Sequence, residues 1–153
     1  MNIMDIFSKE HIIDGLQSKT QRDVLKELSG VFLQGEIKFS HEDTVNTLLE
    51  REKLGSTGIG DGIAIPHGKL ADIDDLIVSF GRSREGVEFN AMDGKPAHIF
   101  FLLLAPENTT GRHLKALAKI SKMLKDNTFR KKLMEAKSKD EIYMIISDKD
   151  DAC

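Results

Sequence analysis

The chain has 153 residues, of which 40% are hydrophobic and 31% are charged. This balance excludes an intrinsically disordered chain, and the length suits one globular domain. The net charge of −3 excludes a strongly basic protein, so we expect no nucleic-acid partner.

The sequence lacks the usual marks of an exported or membrane-inserted protein. The single cysteine, Cys153, cannot form an internal disulfide. The first residues carry no basic cluster ahead of a long apolar run, so no signal peptide is predicted. The longest apolar run, residues 99–105, is far shorter than the roughly 20 residues of a spanning helix. We therefore expect a cytoplasmic protein without direct membrane insertion.

Helical periodicity dominates the start of the chain. Residues 1–17 predict a short helical turn followed by an edge strand. Ser18 is placed to cap a helix that runs to about Gln34, where Gly35 ends it. The apolar positions of this helix form one buried stripe, made of Val24, Leu25, Leu28, Val31 and Phe32.

A second helix follows after a short gap. Ser40, with Asp43 three residues later, resembles a capping box, and the helix is expected to end near Leu54 with Gly55 just beyond it. Arg51 lies in the last turn, where a cation complements the helix dipole. The inward positions are Val45, Leu48 and Leu49.

Residues 51–69 carry the most distinctive pattern in the sequence. Four glycines fall within residues 55–62, which indicates turns at positive φ or a backbone that lies close to a ligand. Residues 63–65 predict a short buried strand, and Pro66 ends it because proline has no N–H for a sheet ladder. His67 is therefore presented at a strand end, beside a loop rich in backbone amides.

Backbone amides in such a loop form anion-binding nests, so we interpret His67 as the carrier of a phosphoryl group. Arg51 would compensate the added charge with its planar guanidinium. The alternative is a half-buried histidine bonded to a carbonyl, and a Gly-x-Gly pair alone is weak evidence for phosphate. The loop residues expected to face the phosphoryl group are Gly55, Ser56, Thr57, Gly58, Gly60 and Gly62.

Three further strands are predicted, at residues 76–80, 86–89 and 97–105. The last is almost entirely apolar, which is typical of a central strand covered on both faces, and Pro106 closes it. Strands in the middle of the chain with helices before and after them predict an α/β fold. We expect a single-domain sandwich in which a small mixed β-sheet of about five strands carries helices on both faces.

Three helices are predicted in the last third of the chain. Thr109 or Thr110 caps the first, which runs to about Lys125. Its inward positions are Leu114, Leu117, Ile120, Ser121 and Leu124.

Two shorter helices complete the domain. Asn127 caps one that runs through Ala136, and Ser138 forms a capping box for the last with the glutamate three residues later. We expect the domain to span residues 1–147 and residues 148–153 to form a charged, flexible tail.

His113 is the second histidine with a candidate role. In the first turn of its helix it shares a face with Leu117 and Ile120, so it points toward the sheet. The helix dipole there disfavours the protonated imidazole, and a neutral His113 can donate an N–H to a phosphoryl group on His67. A core-edge histidine bonded to backbone is equally compatible with this spacing.

The remaining charged and titratable residues are assigned no catalytic role. The positions of His11, His41 and His98 favour structural or surface roles. No His/Asp/Glu pattern has the spacing of a metal site, so we expect no metal and no cofactor. A basic stripe on the helix after residue 110 is typical of a solvated face, or helps to dock a partner, and consists of Arg112, Lys115, Lys119 and Lys122.

The run Gly-Ser-Thr-Gly-Ile-Gly, followed by Gly-Ile-Ala-Ile-Pro-His-Gly-Lys, resembles a known active-site signature. It is that of the fructose/mannitol-type (type 2) enzyme IIA domains of the bacterial PEP-dependent phosphotransferase system, and it looks most like the nitrogen-regulatory enzyme IIA branch. The resemblance implies a small mixed sheet with helices on both faces, His67 as the phosphoryl acceptor, and an auxiliary histidine at the position of His113.

The implied function is that of a histidine phosphocarrier. His67 would accept a phosphoryl group from phospho-HPr or an HPr-like protein, and would pass it to a separate enzyme IIB or use it as a regulatory signal. The alternative is a purely regulatory module whose protein targets are selected by phosphorylation of His67, without onward sugar phosphorylation. A small-molecule phosphate or nucleotide binder is disfavoured, because residues 55–69 lack the ending of a P-loop.

Overall fold

The computed structural model describes residues 1–34, 40–109 and 111–153. Within this part of the chain, one mixed sheet is covered by helices on both faces, which confirms the predicted architecture. The strands are β1 (Ile12–Ile13), β2 (Gly58–Gly60), β3 (Ile63–Ala64), β4 (His67–Leu70), β5 (Ile77–Val87) and β6 (Ala97–Pro106). The helices are α1 (Gln21–Gly30), α2 (His41–Lys53), α3 (Arg112–Leu124), α4 (Asn127–Glu135) and α5 (Lys139–Ala152), with 3₁₀ turns at Ile3–Asp5, Lys9–His11 and Val31–Gln34.

The strand β6 is the centre of the sheet. The strand order is β1-β5-β6-β3-β2, and β4 also pairs with β6. Both β3 and β4 run parallel to β6, and β5 runs antiparallel to it. Strands β3 and β4 both pair with β6, and Pro66 lies in the break between them. His67, the first residue of β4, is opposite Leu103 of β6. The sequence correctly predicted the central position of this strand.

Two apolar layers flank the sheet. Alternate residues of β6 enter different layers, with Phe101 among helices α3, α4 and α5 and Phe100 on the side of α1 and α2. The predicted caps at Ser40 and Ser138 are confirmed, since each side chain accepts a hydrogen bond from the amide three residues later. No helix in the described ranges is both long and apolar enough to cross a bilayer.

The start of α1 differs from the prediction. Thr20, not Ser18, is the cap, and its Oγ1 accepts the Asp23 amide at 3.2 Å. The Ser18 hydroxyl instead donates to Glu27 at 2.7 Å. After α1 the chain continues as the 3₁₀ turn, and the predicted terminator Gly35 lies outside the described residues.

The predicted start of α3 is also corrected. Its N-cap is Gly111 at φ +96°, a left-handed conformation that suits glycine, and Thr109 instead donates its amide to Pro106. Thr110 lies outside the described residues. With this start the buried stripe falls on Ala116, Ile120, Met123 and Leu124, and Leu114 is 61% exposed rather than inward.

The predicted start of α4 and the predicted division of β5 are also wrong. Asp126 caps α4, since its carboxylate accepts the amides of the second and third helical residues, and the predicted cap Asn127 is the first helical residue. The two strands predicted at residues 76–80 and 86–89 are one strand, β5, whose register shifts between Arg82 and Val87. A bulge therefore replaces the turn that would have separated them.

The C-terminal residues are helical, contrary to the expected tail at residues 148–153. Helix α5 continues through Ala152, and Asp150 is 1% exposed. The carboxylate of Asp150 accepts the amides of Ile3 and Met4, each at 3.1 Å, and pairs with Lys119 at 2.7 Å. The Asp150 carboxylate thus fixes the end of α5 to the N-terminal turn and to α3. Composition alone does not reveal these contacts.

We expect Asp150→Asn to lower the free energy of unfolding at pH 7 by about 3 kcal/mol, because Lys119 loses its buried partner. Burial alone would raise the pKa of Asp150, but hydrogen bonds from Lys119 and two amides hold it below its ordinary value. A depressed carboxyl pKa contributes stability above the unfolded-state pKa of about 3.9 and loses it as the pH falls. The difference between variant and wild type should therefore shrink below about pH 4.

Urea titrations at several pH values measure this difference, with exposed Asp151→Asn as the matched control. A difference that stays constant from pH 7 to pH 3, or an equal loss in the control, would show that the Asp150 carboxylate is not the stabilising group.

Candidate functional site

One pocket of about 370 Å³ brings the main predicted residues together from distant parts of the chain. Helix α2, strands β4 and β6 and helix α3 all contribute to its walls. The three residues singled out by sequence, Arg51, His67 and His113, all line it. The other lining residues are Thr47, Gly68, Lys69, Leu103, Ala105, Leu114 and Leu117.

His67 is half-buried at the first position of β4. Its Nδ1 lies 2.9 Å from the carbonyl oxygen of Ile65. A carbonyl oxygen only accepts hydrogen bonds, so Nδ1 carries the proton and the neutral ring keeps its lone pair on Nε2. Nε2 makes no hydrogen bond with the described residues and remains available as a nucleophile.

His113 is half-buried in the first turn of α3. Burial lowers its pKa, and the nearby charges of Lys69 and His67 lower it further, so the neutral ring is favoured. The predicted direction agrees, and burial is the largest cause. Its Nδ1 is buried and finds no partner in the described part of the chain, so the proton is better placed on Nε2.

Arg51 reaches the pocket from the last turn of α2. Its Nη1 donates to the carbonyl of Gly55 at 2.8 Å, the one hydrogen bond that the guanidinium makes among the described residues. This hydrogen bond fixes the plane of the guanidinium and leaves N–H donors on its other nitrogens available to a ligand. The sequence reasoning that placed Arg51 beside the glycine loop therefore agrees with the geometry.

Sequence reasoning missed Lys69 and Thr47. Lys69 lies two residues after His67 on the same strand, and alternate residues of a strand share a face. Thr47 lies four residues before Arg51 on α2, which is helical spacing for one face. Once His67 and Arg51 had been identified as candidates, strand and helix spacing would also have pointed to Lys69 and Thr47. The sequence prediction did not apply this spacing.

The glycine-rich loop does not line the pocket. Three of its amides are already engaged, because Gly55 donates to the Glu52 carbonyl, Thr57 to the Glu52 carboxylate at 2.9 Å, and Gly58 to the Ser56 hydroxyl at 3.0 Å. Glu52 is only 8% exposed and also accepts the Thr57 hydroxyl.

A carboxylate of the chain itself therefore accepts the Thr57 amide that the predicted nest offered to phosphate. The rest of the loop pairs as β2 with β3. All the residues of the predicted nest lie outside the pocket. They are Gly55, Ser56, Thr57, Gly58, Gly60 and Gly62.

The other histidines also lie outside the pocket. His11 packs edge-on against Phe32, with ring centroids 4.7 Å apart. His41 contacts a carbonyl through Nε2 at 2.9 Å, and His98 contacts a carbonyl through Nδ1 at 2.8 Å. Across residues 1–34, 40–109 and 111–153, no three His, Cys, Asp or Glu side chains converge as a metal site.

The predicted basic stripe on α3 is partly neutralised. Arg112 pairs with Asp75 at 2.8 Å, and Lys119 pairs with the buried Asp150. The link between Arg112 and Asp75 ties the start of α3 to the loop after β4. Two members of the stripe thus have structural partners, which weakens its reading as a docking surface.

Comparison with known proteins adds to this geometry. Residues 5–149 match the sequence model of the family described as "Phosphoenolpyruvate-dependent sugar phosphotransferase system, EIIA 2". The chain belongs to this family. The resemblance to the type 2 enzyme IIA domains is thereby confirmed, and the chain is of the EIIA type.

Individual relatives of this EIIA chain fall in both expected branches. A nitrogen regulatory protein of Bradyrhizobium diazoefficiens is 38% identical over 148 residues, 96% of this chain and 95% of that protein. A fructose-specific EIIABC component of Bacillus subtilis is 39% identical over 150 residues, 98% of this chain but only 24% of that protein. The nitrogen regulatory protein IIA-Ntr of Neisseria meningitidis superimposes with a TM-score of 0.87 at 38% identity, covering 94% of this chain and 98% of the other.

Proposed function

We propose that this EIIA chain is a histidine phosphocarrier whose acceptor atom is Nε2 of His67. The donor is the phosphohistidine of HPr or an HPr-like protein. The observation that carries the proposal is the 2.9 Å contact of Nδ1 with the Ile65 carbonyl, which leaves the nucleophilic lone pair on Nε2 inside a cationic pocket. The site requires no rearrangement of the acceptor ring before transfer.

The transfer step balances without a general base. The Nε2 lone pair of neutral His67 forms the new P–N bond as the P–N bond to the donor's imidazole breaks, and the electron pair of that bond returns to the donor nitrogen. Phosphoryl transfer of this kind passes through a loose transition state, so catalysis depends on alignment and on compensation of charge.

Three cationic or donor groups are placed to compensate the charge of the product. A phosphoryl group on His67 adds about two negative charges. The guanidinium of Arg51 offers a fork of N–H donors, Lys69 offers an ammonium, and neutral His113 offers its Nε2–H. The phosphoryl group is thus held by side chains, in place of the loop amides that the sequence suggested.

Two uses of the phosphoryl group are supported by different relatives. The Bacillus relative joins A, B and C components in its name, which supports onward transfer to an enzyme IIB. The nitrogen regulatory relatives support a signalling role, in which the phosphorylation state of His67 selects protein targets. Both uses begin with the same phosphorylated histidine, and both place the protein in the cytoplasm.

Incubation with PEP, enzyme I and HPr tests the proposal. An acid-labile, base-stable adduct of one phosphoryl group should form and should map to His67 by mass spectrometry. Addition of a purified enzyme IIB then separates the two uses, because onward transfer discharges the adduct and a purely regulatory module keeps it. Absence of any adduct with several HPr paralogues would refute the phosphocarrier function.

The charge-compensating role of Arg51 predicts a change in the stability of the adduct. Arg51→Lys keeps the charge but loses the fork, so we expect the phosphohistidine to hydrolyse about fivefold faster, which corresponds to roughly 1 kcal/mol. Lys53→Ala is the matched control, since Lys53 lies in the same turn but pairs with Glu50 in solvent. Equal lifetimes in the two variants, or a shorter one in Lys53→Ala, would mean that the wrong cation has been assigned.

A further inference from the structure

The pocket around His67 is larger than a phosphoryl group requires. A phosphoryl group fills roughly the space of two water molecules, about 60 Å³. The pocket measures about 370 Å³, and small-molecule sites in proteins span roughly 300–1,000 Å³. Most of its space is therefore left over after His67 is phosphorylated.

The polar groups of the pocket are cationic or neutral donors. Arg51, Lys69 and His113 supply donors of three different kinds, which matches the three terminal oxygens of a phosphate monoester. Among the described residues that line the pocket, none carries a carboxylate. The head group that this set recognises best is a phosphate dianion.

Apart from Thr47 of α2, the remaining side chains that line the pocket are apolar. Leu103 and Ala105 come from β6 and form the floor, and Leu114 and Leu117 of α3 form one side. These side chains offer no hydrogen bonds to the hydroxyl groups of a sugar, whose burial against them would cost free energy. An aliphatic or aromatic body is therefore favoured over a sugar.

We propose that this pocket binds small phosphate monoesters with an apolar body, and that a bound ester blocks phosphorylation of His67. The inference rests on the proposed function for its regulatory consequence, but the binding itself does not. The ester's phosphate lies among Arg51, Lys69 and His113, where the phosphoryl group would enter, and its body covers the floor at Leu103 and Ala105. The ester and the phosphoryl donor therefore compete for one space.

Phenyl phosphate is the probe, and the methyl NMR signals of the protein's leucines report its position. We expect saturable shifts at Leu103 and Leu117 and an affinity at least about tenfold higher than that of inorganic phosphate or glucose 6-phosphate. Phenol alone should bind more weakly than phenyl phosphate. In the presence of PEP, enzyme I and HPr, phenyl phosphate should slow labelling of His67 competitively while phosphorylation of HPr itself is unchanged.

Two variants of the apolar pocket wall test whether the body of the ester binds there. Leu117→Asn and the more exposed Leu114→Asn should each reduce the preference for phenyl phosphate over inorganic phosphate several-fold. Met144→Asn, at a residue of α5 that is 58% exposed, is the matched control and should keep the preference. Equal affinities for phenyl phosphate and inorganic phosphate, or shifts confined to another face, would overturn the inference.

The outcomes also separate this inference from the phosphocarrier proposal. Labelling of His67 without preferential binding of phenyl phosphate would refute only the ester site. Preferential binding without labelling by any HPr would support the ester site and refute the phosphocarrier function.

Discussion

The His67→Ala variant is expected to take up less than about 1% of the wild-type label from PEP through enzyme I and HPr. Alanine removes the nucleophilic Nε2, and no other group in the described part of the pocket has the geometry to replace it. The variant should fold normally, because His67 is half-buried at a strand start and, among the described residues, its side chain bonds only to the nearby Ile65 carbonyl.

The histidines outside the pocket supply the matched controls for this loss. His11→Ala, His41→Ala and His98→Ala should each retain labelling, although each removes a packing or hydrogen-bond contact. Thermal melts verify that every variant is folded before its labelling is compared. Loss of label in His98→Ala with retention in His67→Ala would transfer the acceptor role to His98.

The second large effect is expected for His113→Ala, with phosphorylation of His67 slower by on the order of 100-fold. A donor that is positioned for the charge that develops in the transition state contributes about this much when it is removed. His113 is half-buried, and its pKa is lowered by burial and by neighbouring positive charge, so it acts as a neutral donor. Single-turnover labelling with phospho-HPr measures the rate directly.

The His113→Gln variant distinguishes a hydrogen-bond donor role from a packing role. The amide N–H of His113→Gln can take the place of the imidazole Nε2–H, so this variant should recover part of the lost rate. His113→Leu preserves volume without a donor and should remain as slow as His113→Ala. Equal, near-wild-type rates in all three variants would leave His113 as a core-edge residue without a part in the transfer.

Local patterns were sufficient for two of the elements that build the pocket, β6 and α2. The apolar run of β6 predicted a central strand because both faces of that strand are buried. Ser40 predicted the start of α2 because capping depends on adjacent residues. Pro66 predicted the end of a short strand, and β3 does end before it, but His67 begins a further strand, β4, that the sequence did not predict.

The features that the sequence did not reveal depend on partners far along the chain or on competition for a group. The loop amides looked free for phosphate, but the carboxylate of Glu52, a residue of the preceding helix, already binds Thr57. Asp150 looked like part of a solvated tail, but its partners are near the N-terminus and on α3. Charge and glycine content alone do not specify which of several possible partners a polar group meets.

Locating the phosphoryl group on the ring of His67 tests whether Nε2 is the acceptor atom. Nitrogen-15 and phosphorus-31 NMR of the phosphorylated protein, with labelled histidine, identify the bonded nitrogen. We predict a one-bond phosphorus coupling to Nε2 of His67, with the proton on Nδ1 still donated to Ile65. A coupling to Nδ1, or to a ring nitrogen of any other histidine, would contradict the account.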